Sequence, residues 1–175
     1  MPSATSAVLG LAAELREAGQ PVISLGAGEP DFDTPDHIKE AAVTAIRDGE
    51  TKYTPIDGTS QLKGAIRRKL LRDNQLTYAP EQILVSAGAK HTLFNACMAI
   101  LGPGDEAIIP APYWVSYPDM VRVAEGTPVF IDTGIEDGFK VTPVKLGEAI
   151  TNRTRILFLN SPSNPTGSCY TRDEL

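Results

Sequence analysis

The sequence predicts an α/β fold in which a mainly parallel sheet is covered by helices on both faces. From Glu81 onward, short apolar runs alternate with amphipathic segments of helical length. The apolar runs are nearly continuous, which is typical of strands buried on both faces. Hydrophobic residues make up 42% and charged residues 22% of the 175 residues, so the chain has enough apolar material for a core.

The first part of the chain is predicted to be mainly helical. Residues 8–18 form an amphipathic helix, which the following glycine and proline stop. Val22–Leu25 is a short strand candidate. A second helix begins at Pro35 and ends at Gly49, and a third carries an apolar stripe of helical spacing over residues 62–70.

The remaining elements alternate between strand and helix. The predicted strands are 83–85, 107–109, 128–131 and 156–159, and the predicted helices run to about residue 101, to near residue 126 and over 143–150. Parallel sheets place ligands at the carboxyl ends of their strands. The loops after Val85, Ile109 and Leu159 are therefore the places to look for a site.

Composition excludes several classes of protein. Sixteen Lys and Arg against twenty-two Asp and Glu give a net charge of −6, which argues against binding to nucleic acid or an anionic membrane. No apolar run reaches the ~18 residues of a membrane span. Met1 is not followed by the basic and apolar regions of a signal peptide, so a cytoplasmic protein is predicted.

Cysteines and histidines show no metal-binding or disulfide pattern. Cys97 and Cys169 lie far apart in sequence, and His37 and His91 have no partner at ligand spacing. We interpret both histidines as ordinary helix residues and predict no metal site. A dinucleotide site is also disfavoured, because the glycine-rich segment 26–31 lacks a third glycine and carries a proline where a helix should begin.

The loop after Val85 is a candidate anion site. Residues 86–92 read Ser-Ala-Gly-Ala-Lys-His-Thr and lead directly into a helix, without the spacing of a Walker A loop. Small residues let backbone N–H groups approach an anion, and a helix N-terminus favours negative charge. Tight packing of the helix against the sheet explains the same small residues, so both interpretations stay open.

The loops after Ile109 and Leu159 carry aromatic and amide side chains. Residues 110–117 contain the only tryptophan, Trp114, which can stack on a planar ligand or cap the core. Residues 160–167 contain two X-Pro bonds, so we expect a rigid loop with room for a cis peptide. Asn164 is then either a fixed amide ligand or part of a purely structural turn.

Five blocks of the sequence together resemble a known family. The blocks are residues 28–35, 52–54, 88–90, 112–117 and 160–167. They are similar to the N-terminal part of the class I aminotransferases, a fold type I family that depends on pyridoxal phosphate, and within it to the bacterial aspartate aminotransferases. The resemblance runs over essentially the whole chain. It implies a three-layer PLP-transferase fold, with 1–35 in the small domain and 36–175 in an incomplete large domain.

The resemblance also implies a cofactor site. The backbone around Gly88, Ala89 and Lys90 would cradle the phosphate of pyridoxal 5'-phosphate. Trp114 would stack on the pyridine ring, and Asn164 would hydrogen-bond its phenolic oxygen. Trp114 and Asn164 would also contact the substrate.

Two further residues receive roles only through the resemblance. Gly28 would lie against the substrate, where a Cβ would crowd it. Tyr53 would reach the phosphate of the neighbouring subunit, so the implied homodimer shares its sites. The implied reaction is ping-pong transfer of an amino group from an L-amino acid, with aspartate favoured, to 2-oxoglutarate.

Other specificities and a noncatalytic role stay open. Alanine, aromatic amino acids or kynurenine are alternative substrates on the same fold. Prephenate is in doubt, because relatives that use it carry a lysine where this chain has Met1. A short protein that binds a phosphorylated ligand or a partner subunit without catalysis is the alternative outside the enzymes.

The last residues predict a helix that the sequence does not continue. Thr171 and Glu174 have capping-box spacing, yet one turn is too short for a stable helix. We therefore expect the sequence to be an N-terminal piece of a longer chain. Lys52 and Lys90 lie outside the family's Schiff-base lysine motif, so we expect these 175 residues to be inactive alone.

Overall fold

The structure, a computed structural model, describes residues 4–26 and 28–175. Their contacts define two compact units, which are divided between Thr54 and Pro55. The predicted division at residue 35 concerns the domains of a complete aminotransferase and stays a prediction. Among the described residues, no helix combines the length and the apolar character needed to cross a membrane.

The first unit contains two helices, α1 (Ala4–Glu17) and α2 (Asp36–Arg47). Helix α1 begins four residues before the predicted start at residue 8, and α2 begins directly after Pro35, as predicted. Gly49 follows α2 with φ of 80°. Glycine reaches this left-handed conformation without strain, which is why it ends so many helices.

The predicted strand at Val22–Leu25 is wrong. This segment has no regular structure, and Ile23 and Leu25 are 91% and 92% exposed. A strand is stable only when a neighbouring strand completes its hydrogen bonds and covers its side chains. The described part of the chain provides no such neighbour for Val22–Leu25.

The predicted strand over Ile83–Val85 is wrong for the same reason. Ile83 is buried, but Val85 donates its N–H to the carbonyl of Asp57 at 3.0 Å rather than to a strand. Gly58 approaches closely here: a Cβ on it would lie 2.5 Å from Cγ2 of Val85. The segment is thus held by the loop that precedes the third helix.

Regular elements alternate through the rest of the second unit. They are α3 (Ser60–Asn74), α4 (Ala89–Ile100), β1 (Glu106–Ala111), α5 (Tyr117–Val123), β2 (Thr127–Asp132), α6 (Pro143–Ala149) and β3 (Thr154–Leu157). Each lies close to its predicted position, although β3 begins and ends two residues before the predicted strand 156–159. Thr59 caps α3 by accepting the N–H of Leu62 at 3.2 Å.

The three strands form a parallel sheet in the order β2-β1-β3. The chain moves from β1 to β2 on one side and then crosses to β3 on the other. Because such crossovers are right-handed, the two connecting helices α5 and α6 lie on opposite faces. The predicted parallel sheet with helices on both faces is confirmed.

Strand β1 lies at the centre of the core. Ala107, Ile108 and Ile109 are 0% exposed. One face of the sheet packs against α4 and α5 in a cluster of Cys97, Leu101, Ala107, Ile109, Tyr117, Met120, Val121, Ala124 and Phe158. Burial raises the pKa of the Cys97 thiol, so this cysteine stays in its neutral form.

The end of the chain is tied to the loop before α6. The Glu174 carboxylate accepts the N–H of Thr171 at 2.6 Å, as the capping-box spacing predicts, and it pairs with Lys140 at 2.8 Å. These contacts, with Lys140 the largest, lower the pKa of Glu174 to about 2. The helix itself is a single 3₁₀ turn, Arg172–Glu174.

A buried carboxylate joins β1 to the turn before β3. Glu106 has a side chain that is only 8% exposed, and it accepts hydrogen bonds from Thr151 Oγ1 at 2.5 Å and Arg153 Nε at 2.8 Å. The hydrogen bond from Thr151 and the contacts from Arg153 hold the pKa of Glu106 below its ordinary value of 4.5.

This carboxylate should make stability depend on pH. A lowered pKa in the folded state means that the stabilisation is present above pH 4.5 and is lost as the pH falls through the folded pKa. We therefore expect Glu106→Gln to flatten the fall in unfolding free energy below pH 4.5. Urea unfolding at several pH values measures this slope, with the exposed Glu148→Gln as control. Equal slopes in the wild type and Glu106→Gln would contradict the prediction.

Candidate functional site

The N-terminus of α4 presents free hydrogen-bond donors. Gly88 caps this helix with φ of 88° and offers no side chain. The first bond of the helix runs from the Thr92 N–H to the Gly88 carbonyl at 3.2 Å. The N–H groups of Ala89, Lys90 and His91 therefore have no acceptor among the described residues. Such a helix end attracts an anion.

The turn before α4 is tied by two hydrogen bonds. Gly88 donates its N–H to the Ser86 carbonyl at 2.9 Å, and Ala87 donates its N–H to Nδ1 of His91 at 3.2 Å. His91 lies in α4, as predicted, and this contact gives its side chain a partner in the preceding turn. Ser86 Oγ is buried in the same turn and has no partner among the described residues.

Space is open around the cap. Apart from its chain neighbours, no described residue has an atom within 4 Å of the position that a Cβ on Gly88 would take. Three free N–H groups, a helix end without a side-chain cap and open space fit a phosphate-sized anion. This observation favours the anion-site interpretation of the turn.

A row of aromatic side chains continues from this helix end. The Lys90 Nζ lies 5.0 Å from the ring centroid of Trp114, a cation–π contact. Trp114 meets Tyr117 edge-on with centroids 5.5 Å apart, and Tyr117 stacks on Phe158 at 4.7 Å. Because Phe158 directly follows β3, the row links the N-terminal end of α4 to the carboxyl edge of the sheet.

The loop after β3 holds Asn164 in place through its backbone. Asn164 donates its N–H to Oδ1 of Asn160 at 2.8 Å, while its own carboxamide makes no hydrogen bond within the described residues. The Ser161–Pro162 and Asn164–Pro165 peptides are cis, which confirms the expectation for this loop. The carboxamide of Asn164 is thus available to a ligand.

Asn164 lines one small cavity together with Tyr117 and Phe158 of the aromatic row. Its lining includes Tyr113, Tyr117, Phe158, Asn160, Asn164 and Tyr170. Burial raises the pKa of the Tyr117 phenol, so this group stays neutral beside the cavity. Together, the anion site, the aromatic faces and the free amide suit a ligand that has a planar ring and an anionic group.

The second unit therefore brings Gly88, Ala89, Lys90, Trp114 and Asn164 to one end of the sheet. Gly28 and Tyr53 belong to the first unit. Gly28 has no atom within 4 Å of the position of a Cβ, and Tyr53 is fully exposed. The roles of these two residues stay predictions.

Comparison with known proteins identifies the family. Residues 20–175 match the sequence profile described as "Aminotransferase class I and II". The chain belongs to this family. Class I aminotransferases of this type depend on pyridoxal phosphate, which agrees with a site for a planar, phosphorylated ligand.

Similar aminotransferases are found in several bacteria. Proteins named aspartate/prephenate aminotransferase from Nitrosomonas europaea and Cereibacter sphaeroides are each 60% identical over 174 residues, which is 99% of this chain. The chain spans 44% of the length of these relatives.

Solved structures confirm the aminotransferase fold. Aspartate aminotransferase from Thermus thermophilus, determined with maleate, is 50% identical and superimposes with a TM-score of 0.94 over 99% of this chain and 45% of its own. The Rhizobium meliloti enzyme is 51% identical with a TM-score of 0.91, over 99% of this chain and 46% of its own.

Proposed function

We propose that the complete protein is a pyridoxal-phosphate-dependent aminotransferase that transfers an amino group from L-aspartate to 2-oxoglutarate. The observation that carries this proposal is the donor-rich N-terminal end of α4, which contacts Trp114 and, through Trp114 and Tyr117, reaches the cavity that Asn164 lines. The names of the relatives at 60% identity favour aspartate as the amino donor.

Residues of the second unit would hold different parts of the cofactor. The free N–H groups of Ala89, Lys90 and His91, directly after the cap residue Gly88, would bind the phosphate. Trp114 would stack on the ring, and the Asn164 carboxamide would donate to the ring oxygen. The bound cofactor supplies an electron sink, which makes the α-proton of the amino acid acidic.

Further roles concern the substrate and the partner subunit. Gly28 leaves space for the substrate, and Asn164 helps orient its α-carboxylate, beside Trp114. Tyr53 donates to the cofactor phosphate of the partner subunit, so the complete enzyme works as a homodimer. Each subunit then completes the site of the other.

The test is an assay of the complete protein with pyridoxal phosphate, L-aspartate and 2-oxoglutarate. We expect oxaloacetate and glutamate to form in equal amounts, with a higher kcat/KM for aspartate than for alanine or aromatic amino acids. Failure to convert any amino acid would overturn the proposal. A preference for alanine would change the assigned substrate only.

Prephenate is a second candidate amino acceptor. The relatives from Nitrosomonas and Cereibacter carry this activity in their names, although Met1 stands where prephenate-using relatives have lysine. The same assay with prephenate in place of 2-oxoglutarate tests this activity. An aspartate concentration that stays constant would exclude prephenate as an amino acceptor.

We propose that the 175 residues alone do not catalyse transamination. Lys52 and Lys90 stand in other motifs than the lysine that would accept the α-proton. The purified chain should therefore convert aspartate no faster than free pyridoxal phosphate does. A faster rate would show that one of these lysines can act as the base.

A further inference from the structure

We infer that His91 is a positioning residue for the cofactor phosphate, an inference that rests on the proposed function. His91 is the third residue of α4, and its Nδ1 accepts the N–H of Ala87 at 3.2 Å. It ties the first turn of the helix to the residue just before the cap. Its imidazole acts on the turn and does not itself contact the phosphate.

This contact resembles one half of a capping box. In a capping box, a Glu or Gln at the third helical position reaches back to the N–H of the cap residue. In this chain, the N–H of the cap residue Gly88 is already bonded to the Ser86 carbonyl at 2.9 Å. The imidazole therefore reaches one residue further back, to Ala87. Both N–H groups before the helix are thus satisfied within the turn.

The next three N–H groups are left for the ligand. The N–H groups of Ala89, Lys90 and His91 lie at the N-terminal end of α4, where Gly88 provides no side-chain cap. Small residues at 87–89 leave this turn few side-chain contacts of its own, and glycine at the cap has wide conformational freedom. Fixing the turn in advance lowers the entropy that phosphate binding must offset.

The contact also sets the form of the imidazole. A nitrogen that accepts a hydrogen bond carries no proton of its own, so the contact from Ala87 requires the imidazole tautomer that is protonated on Nε2. Asparagine can place Oδ1 close to the position of Nδ1 and accept the same N–H. Leucine has a similar size and accepts nothing.

The experiment compares the affinities of the complete protein for pyridoxal phosphate and for pyridoxal, which lacks the phosphate. We expect His91→Leu to weaken pyridoxal phosphate binding about 3- to 10-fold, the loss expected for one neutral hydrogen bond. Pyridoxal binding should change by less than about twofold. His91→Asn should restore the phosphate preference, and His37→Leu should keep it as the histidine control.

Each outcome separates this inference from the proposed function. Equal loss of both ligands in His91→Leu, or no loss of either, would overturn the positioning role while the aminotransferase assignment stands. A His91→Asn variant that behaves like His91→Leu would also overturn it. A wild-type protein that binds neither ligand, or binds both equally, would overturn the inference and the proposed phosphate site together.

Discussion

We expect the Asn164→Ala substitution to lower kcat/KM for L-aspartate about 10- to 150-fold in the complete protein. A hydrogen bond to a charged partner contributes about 1.5–3 kcal/mol, and the proposed partner is the phenolic oxygen of the cofactor ring. The Asn164 carboxamide has no other hydrogen bond within the described residues, so its removal should not disturb the loop. Steady-state kinetics with aspartate and 2-oxoglutarate measure the loss.

Two other asparagines serve as controls for this result. Asn152 is exposed in the turn before β3, and Asn152→Ala should leave kcat/KM unchanged. Asn160 holds the backbone of Asn164 at 2.8 Å, so Asn160→Ala should cause a smaller loss through misplacement. If Asn164→Ala keeps kcat/KM within about twofold of the wild type, its carboxamide is not a cofactor ligand.

The largest effect on stability is expected at the centre of the sheet. Ile109 is 0% exposed in β1 and belongs to the core cluster beneath α4 and α5. Ile109→Ala should lower the free energy of unfolding by about 2–5 kcal/mol, because the cavity adds to the lost apolar burial. Ile109→Val removes one methylene group and should cost about 0.5–1.5 kcal/mol.

Urea denaturation of both variants tests this order. Val144 is 70% exposed on α6, so Val144→Ala should change the unfolding free energy by less than about 0.5 kcal/mol. An Ile109→Ala variant that unfolds at the same urea concentration as Val144→Ala would contradict the central position of β1 in the core.

Local signals predicted most of the regular elements. Helix α2 begins after Pro35, and Gly49 with φ of 80° follows it, so both ends are encoded by residues with restricted or unusual backbone preferences. A continuous apolar run was enough to predict the strand that contains Ile108 and Ile109. Strand β1 has both of its neighbours, β2 and β3, in the same chain.

The two wrong strands show the limit of local signals. Val22–Leu25 and Ile83–Val85 have the composition of strands, but a strand is defined by hydrogen bonds to a neighbour. Val85 instead bonds to Asp57, a pairing that apolar periodicity cannot reveal. Sequence composition reports the preference of a segment and not the presence of its partner.

The candidate site divides in a similar way. Gly88, Trp114 and Asn164 stood out through small-residue, aromatic and proline-rich loops at strand ends. His91 did not, because its partner is the backbone N–H of Ala87, which has no sequence signature. The available signal was its position, because the third residue of a helix is where a capping-box side chain reaches back to a backbone N–H.

The strand order β2-β1-β3 also bears on how the chain folds during synthesis. Glu106 pairs with Thr127 of β2 and with Thr154 of β3. Because β2 precedes β3 in the chain, β2 leaves the ribosome first and can pair with β1 before β3 is available. While β3 is still inside the ribosome, Glu106 can pair with the emerged β2 before Arg153 reaches its carboxylate. Ribosome pausing in this interval would expose the open edge of β1 to chaperones or to other nascent chains.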